Sequence, residues 1–208
     1  YFSTKTGIST DEFIDQYNWE LSFEVINKFF FNRGDSNFAL VNYEWRFHGI
    51  GFHYVSQVYL YILNLFLNFE PFDKESSKIL LNHSFIFLTF FLSGIFAKKI
   101  IDLLIKDGFT SQIFIIFYLM YPYLLGHGFY NPKDVPFLFA WLLSTYISLN
   151  IFIKILKNQV VLFSSIFLIS LSTAFLLSIR ISGILIFFQY LISLIITINA
   201  GKISITKV

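Results

Sequence analysis

Five stretches of the chain are apolar over most of the length of a membrane helix: residues 79–97, 111–125, 135–153, 160–179 and 181–198. A spanning helix takes about 20 such residues, so each is expected to cross a bilayer. The second is short, but Phe109 and Gly126 can lengthen it. The last two are parted only by Arg180 and the Ser182-Gly183 pair. A sixth stretch, 52–69, is interrupted by His53, Gln57, Asn64 and Asn68. It reads as a helix that lies along or dips into the membrane interface. Residues 1–51 form the extended polar region. Within it, Ser9-Thr10-Asp11-Glu12 has the residues of a helix start, with a hydroxyl or carboxylate able to cap the first amides. Phe13, Ile14, Tyr17, Leu21 and Val25 follow at helical spacing. The pattern predicts a surface helix with its first carboxylates at the positive end of the dipole.

Composition strengthens the membrane reading. The chain is 56% hydrophobic, 21% aromatic and 13% charged, whereas a soluble domain carries about 25% charge. The expected fold class is all-α: an integral membrane protein built as a multispanning helical bundle. Residues 1–78 form an extracytoplasmic first loop with juxtamembrane helices, and residues 79–208 form the bundle. A net charge of +2 without a basic run points away from nucleic acid as a partner. The absence of cysteine excludes disulfides and thiolate metal sites. The chain opens on Tyr1 in a polar segment with no signal-peptide pattern. It is expected to be a fragment, with a helix upstream and further helices beyond Val208.

Lysines set the expected orientation. Lys98, Lys99 and Lys106 share one loop, Lys154 and Lys157 another, and Lys202 and Lys207 follow the last span. The positive-inside rule places all three in the cytoplasm. Residues 1–78, the 131–134 turn and Arg180 then face outward from a multi-pass protein of the cytoplasmic membrane. That parity requires that 52–69 does not cross.

Four groups gather on the assigned outer face. They are Asp11-Glu12, the Tyr43–His53 segment with Arg46, His48 and His53, the turn Gly126-His127-Gly128-Phe129-Tyr130-Asn131-Pro132-Lys133-Asp134, and Arg180. Pro132 fixes its φ while Gly126 and Gly128 permit tight backbone, so the turn should hold Lys133 and Asp134 at one depth. A charge inside the bilayer costs roughly 2.5–3.5 kcal/mol on insertion scales. Arg180 therefore needs a partner or a function, unless it snorkels from a helix end. His83 reads as a hydrogen-bonded packing residue. His48, His53 and His127 lack an HExxH or paired spacing, so no metal ligand is assigned. No cofactor is assigned either; a divalent metal is left open. Glycine-rich phosphate loops and a Gly-x-Ser-x-Gly elbow are absent.

A carboxylate pair, a Lys-Asp turn and an arginine suit the transfer of a sugar from a lipid phosphate. That reaction needs a base for the acceptor hydroxyl and cations for the departing phosphate. Both must sit at the membrane surface, because the donor's tail stays in the bilayer. The alternative is a transporter or flippase of a lipid-linked or anionic substrate, which would place ionisable groups nearer the midplane. A third reading is a structural or assembly subunit with no chemistry of its own.

Three motifs in order, and a further segment after them, resemble a known family. Gly7-Ile8-Ser9-Thr10-Asp11-Glu12 is similar to the acidic motif of the first outer loop in the multispanning GT-C glycosyltransferases. Tyr43-Glu44-Trp45-Arg46-Phe47-His48-Gly49 resembles the stretch leading into their juxtamembrane helices. The turn from Gly126 to Asp134, with Val135-Pro136-Phe137, resembles their second outer loop, and Ser178-Ile179-Arg180-Ile181-Ser182-Gly183 resembles a recurring arginine-glycine segment. The likeness is greatest to the bacterial branch of protein O-mannosyltransferases and the lipid A aminoarabinose transferase. It implies an inverting transfer from a polyprenyl-phosphate sugar to a lipid, glycan or protein acceptor at the outer membrane face. By motif, Asp11 would be the base, Glu12 its neighbour and Asp134 the second-loop acid. Lys133 and Arg180 would be phosphate-side cations, with His48, His127 and Asn131 completing the substrate-contacting set.

Overall fold

A computed structural model describes residues 7–8, 10–31, 49–67, 75–105 and 107–201. Arg46 and His48 lie outside these residues, as does the side chain of Asp11. Every regular element described is helical: α1 (Thr10–Phe31), α2 (Gly51–Leu67), α3 (Glu75–Ile105), α4 (Gly108–Met120), α5 (Pro122–Gly128), α6 (Asp134–Leu156), α7 (Phe163–Ile179), a 3-10 segment (Ile181–Leu185) and α8 (Ile186–Gly201).

Three stretches, Ser77–Ile105, Asp134–Leu156 and Ile181–Asn199, are long and apolar enough to cross a membrane. The apolar run at 111–125, expected as one helix, is broken. Pro122 has no N–H to donate and disfavours helical backbone at the residue before it. Tyr121 is accordingly extended, with φ −63° and ψ 116°. Helices α4 and α5 meet there at a bend of 61°, and together they pass as a fourth span. α7 is apolar but has 17 residues, or about 26 Å at 1.5 Å per residue. α3 has 31 residues, about 46 Å, which exceeds the roughly 30 Å hydrocarbon core. Its last turns carry Lys98 and Asp102, paired at 2.7 Å.

The helices alternate in direction. α3 and α6 run parallel, since Phe87 stacks on Phe129 while Phe96 meets Phe139 and Tyr146 further along both. α4 returns against α3, with the Ser93 and Tyr118 hydroxyls 2.8 Å apart. α7 returns against α6 and α8, with the Thr173 and Tyr190 hydroxyls also 2.8 Å apart. The centre is Phe52, Ile86, Phe90, Val135, Ala140, Leu176, Ile179 and Ile186. Ala140, Ser144 and Ser148 recur every fourth residue of α6 and are fully buried. Small residues at that spacing let helix backbones approach without a large apolar side chain between them. The outward faces are apolar as well: Phe163, Phe167, Phe188 and Ile196 are each more than half exposed. Helices apolar on all sides belong in an apolar surrounding.

α2 lies across α3 rather than beside it. Phe52 and Tyr59, two turns apart, both stack on Phe85 of α3. The apolar stripe of α1 is divided between two surroundings. Phe13 and Tyr17 point outward, whereas Leu21 is buried, and so are Glu12, Asp15, Gln16 and Trp19. At a membrane surface Phe13 and Tyr17 have lipid to meet, so the polar stripe is the one that turns to protein.

Candidate functional site

The directions of the helices bring one set of ends together: the starts of α2, α3 and α6, and the close of α5 and α7. Lys98, Lys99, Lys154 and Lys157 lie toward the opposite ends of α3 and α6. The gathered end carries a layer of paired charges.

The turn between α5 and α6 is organised by Asn131. Its Oδ1 accepts from the backbone N–H of Lys133 at 3.0 Å and of Asp134 at 2.8 Å, capping the start of α6. Its Nδ2 donates to Asp134 Oδ2 at 3.0 Å and to His127 Nδ1 at 2.8 Å. An amide can only donate there, so His127 carries its proton on Nε2. The amide of Asn131 is thus committed to the turn, although the sequence offered it as a substrate contact. Pro132 is buried. A Cβ on Gly128 would meet Phe90 Cγ at 2.9 Å, so that glycine serves close packing, whereas Gly126 has open space around it.

Three ion pairs tie the layer together. Asp134 Oδ1 meets Arg180 Nη1 at 2.6 Å, with both side chains nearly half exposed. Lys133 Nζ meets Asp15 Oδ1 at 2.7 Å, with the carboxylate buried. Glu12 Oε2 meets His83 Nε2 at 2.5 Å, with both side chains almost fully buried. These pairs join α1 to α3, α1 to the 131–134 turn, and the turn to the end of α7. α1 and the 126–134 turn, which the sequence matched to separate motifs, therefore meet. Asp11 lies four residues before Asp15 on α1, a rise of about 6 Å. Arg180 ends α7 with extended backbone and donates its N–H to Leu176 O at 3.2 Å. Gly49 packs on that ending: a Cβ there would stand 2.2 Å from Ile179 O, which leaves room for glycine alone.

His53 sits at the start of α2, 5% exposed, and its Nδ1 has no hydrogen-bond partner among the described residues. Burial, and then the nearby Lys133 ammonium, lower its pKa from 6.5 to about 4, so it is neutral. A buried polar group left without a hydrogen bond costs about 1–3 kcal/mol. The adjacent Tyr54 hydroxyl is likewise buried with no partner among the described residues, and burial raises its pKa. The Tyr54 ring packs edge-on against Trp19 of α1, with centroids 4.6 Å apart.

A cavity of about 600 Å³ opens beside this layer, lined by Gly49, Ile50, Gly51, Tyr54 and Ser178 among others. Val55, Leu171 and Phe175 also line a second cavity, of about 380 Å³, that reaches Ile147 and Leu168. Ile147 lies 13 residues along α6 from Asp134, so this second cavity reaches about 20 Å from the charges. It is walled almost entirely by apolar side chains.

The sequence passed over Asp15, whereas His83, read as a hydrogen-bonded packing residue, is indeed buried and bonded to Glu12. The polar spacing Glu12, Asp15, Gln16, Trp19 follows one helical face and was the signal available. Among the described residues no three His, Asp or Glu side chains are grouped to hold a metal ion, so the divalent cofactor left open gains no donor set here. Comparison with protein-family models, with curated proteins and with solved structures returns no match.

Proposed function

We propose that the chain is a multispanning membrane glycosyltransferase of the GT-C kind. It moves a sugar from a polyprenyl-phosphate donor to a hydroxyl of a lipid, glycan or protein acceptor at the outer face of the cytoplasmic membrane. The observation that supports this best is the meeting of two unlike surfaces. An apolar groove opens beside Ser178, and two residues on, Arg180 offers a half-exposed guanidinium. A lipid-linked anion needs both: a groove for its tail and a cation at the mouth for its phosphate.

In the reaction, the acceptor oxygen attacks the anomeric carbon from the side opposite the phosphate. The bond from that carbon to the phosphate oxygen breaks, its electron pair leaves with polyprenyl phosphate, and the sugar inverts. The acceptor's proton goes to a carboxylate, assigned to Asp11 by its place in the first-loop motif. Arg180 spends one Nη on Asp134. A guanidinium has five N–H donors, so others are left to meet the charge developing on the phosphate. Asp134 aims that fork, and Lys133, held by Asp15, adds a second positive charge.

The charges gather at one end of the bundle, which supports an enzyme over a carrier. The mid-bundle polar group Gln189 is neutral and bonded to Trp141 at 3.1 Å and Thr145 at 2.9 Å. The test is a panel of polyprenyl-phosphate sugars offered to the protein in lipid nanodiscs, with release of polyprenyl phosphate as the readout. Release that falls to background in Asp11→Asn supports the reading. No release from any donor, with or without added acceptor extracts, sinks it.

A further inference from the structure

His53 is the layer's unexplained group. His83 and His127 each make a hydrogen bond at 2.8 Å or less. His53, 5% exposed, leaves Nδ1 without one among the described residues. Native interiors seldom leave such an atom bare, and where they do the cause is often a partner that arrives later. Its position narrows that partner. His53 stands in the chain between Gly51 and Tyr54, which line the groove mouth together with Gly49, Ile50 and Val55. Burial, and then the charge of Lys133, keep its imidazole neutral. Tyr54, the next residue, lines the same cavity and carries a second bare polar atom. An apolar tail cannot satisfy either atom. A phosphate would go first to the cations. A neutral imidazole and a phenol are matched instead by a neutral group that both donates and accepts, which is a hydroxyl.

We propose that His53, with Tyr54 beside it, binds the sugar of the donor by hydrogen bonds to its hydroxyls. The inference rests on the glycosyltransferase reading and adds to it a sugar subsite formed by the start of α2. Holding the imidazole neutral keeps a ring nitrogen available to accept from a hydroxyl, and keeps a third cation away from Lys133.

The chain has four histidines, so the test is nitrogen NMR of ring-labelled histidine in nanodiscs. Two lipids are added in turn: polyprenyl phosphate without sugar, then polyprenyl-phosphate mannose. The expected result is that the His53 ring signals move with the sugar-bearing lipid and stay in place with the bare phosphate. His53→Leu should bind polyprenyl-phosphate mannose about tenfold more weakly and bare polyprenyl phosphate as before, the loss of one good hydrogen bond. Its thermal midpoint should equal or exceed that of the parent, because an unsatisfied buried group has been removed. If the sugar lipid binds and turns over while the His53 signals stand still, His53 is not the subsite and the glycosyltransferase reading survives. If His53→Leu weakens both lipids alike and lowers the thermal midpoint, its role is structural and the inference fails. If neither lipid binds, both readings fall together. Should His53→Leu not fold, the wild-type signals decide the question alone.

Discussion

Replacing Glu12 by Leu should damage the protein more than any other single change in the charge layer. Glu12 and His83 are 4% and 0% exposed at the side chain and meet at 2.5 Å. Removing one member of such a pair leaves the other buried without its counterpart, at a typical cost of about 3–5 kcal/mol. Removing both and filling the space with apolar side chains is often close to neutral. Asp134 and Arg180, at 48% and 44% exposure, lie at the other extreme; a pair that open to water is worth about 0–1 kcal/mol. The assay is reversible unfolding in mixed micelles of Glu12→Leu, His83→Leu and the double variant, beside Asp134→Asn. The expected order is a large loss for each single change, recovery of at least half of it in the double variant, and little loss for Asp134→Asn. Equal stability of Glu12→Leu and the double variant would refute the coupling. α1 would then be held by Asp15–Lys133 and by Trp19 on Tyr54 rather than by this pair.

Arg180→Lys keeps the charge and loses the planar fork; donor turnover should fall at least tenfold while the thermal midpoint holds, and unchanged turnover would mark Arg180 as a snorkelling residue. Gly49→Ala should destabilise by about 1–3 kcal/mol, as overpacking does, because the added Cβ meets the backbone of Ser178 and Ile179; Gly126→Ala, in open space, should be silent, and equal effects at both would overturn the close-approach argument. His53 has a folded pKa of about 4 against 6.5 unfolded, so the unfolded chain takes up the proton first as pH falls. Its contribution is therefore complete above pH 6.5 and is lost between 6.5 and 4, by up to about 3 kcal/mol at 1.36 kcal/mol per unit. His53→Leu should flatten that part of the pH–stability curve, and an unchanged slope would place the titration elsewhere.

The helical class and most helix positions are legible in the apolar runs, because a helix needs only composition and length to be seen in a membrane-like sequence. The break at Tyr121 was legible too, had Pro122 been weighed against the run around it. The facing of α1 was not. Periodicity reports which residues share a face but not which medium that face meets, and Phe13 and Tyr17 point away from the protein while Glu12 and Asp15 point in. The meeting of Lys133 with Asp15 and of Glu12 with His83 spans 118 and 71 residues of sequence, and depends on α1 crossing over the bundle's end. No local pattern encodes such a contact. The partner of Arg180 was demanded by the cost of its charge, though not named by it. The bare nitrogen of His53 is visible only once its surroundings are known.

The central claim is that this layer transfers sugar from a lipid phosphate with inversion. The most direct measurement is carbon NMR of the product formed in nanodiscs from a polyprenyl-phosphate sugar labelled at its anomeric carbon. The account predicts a product whose anomeric configuration is opposite to the donor's, formed in step with free polyprenyl phosphate and absent in Asp11→Asn. A labelled donor that stays intact, yet is carried to the other leaflet of a vesicle by the wild-type protein, would contradict it.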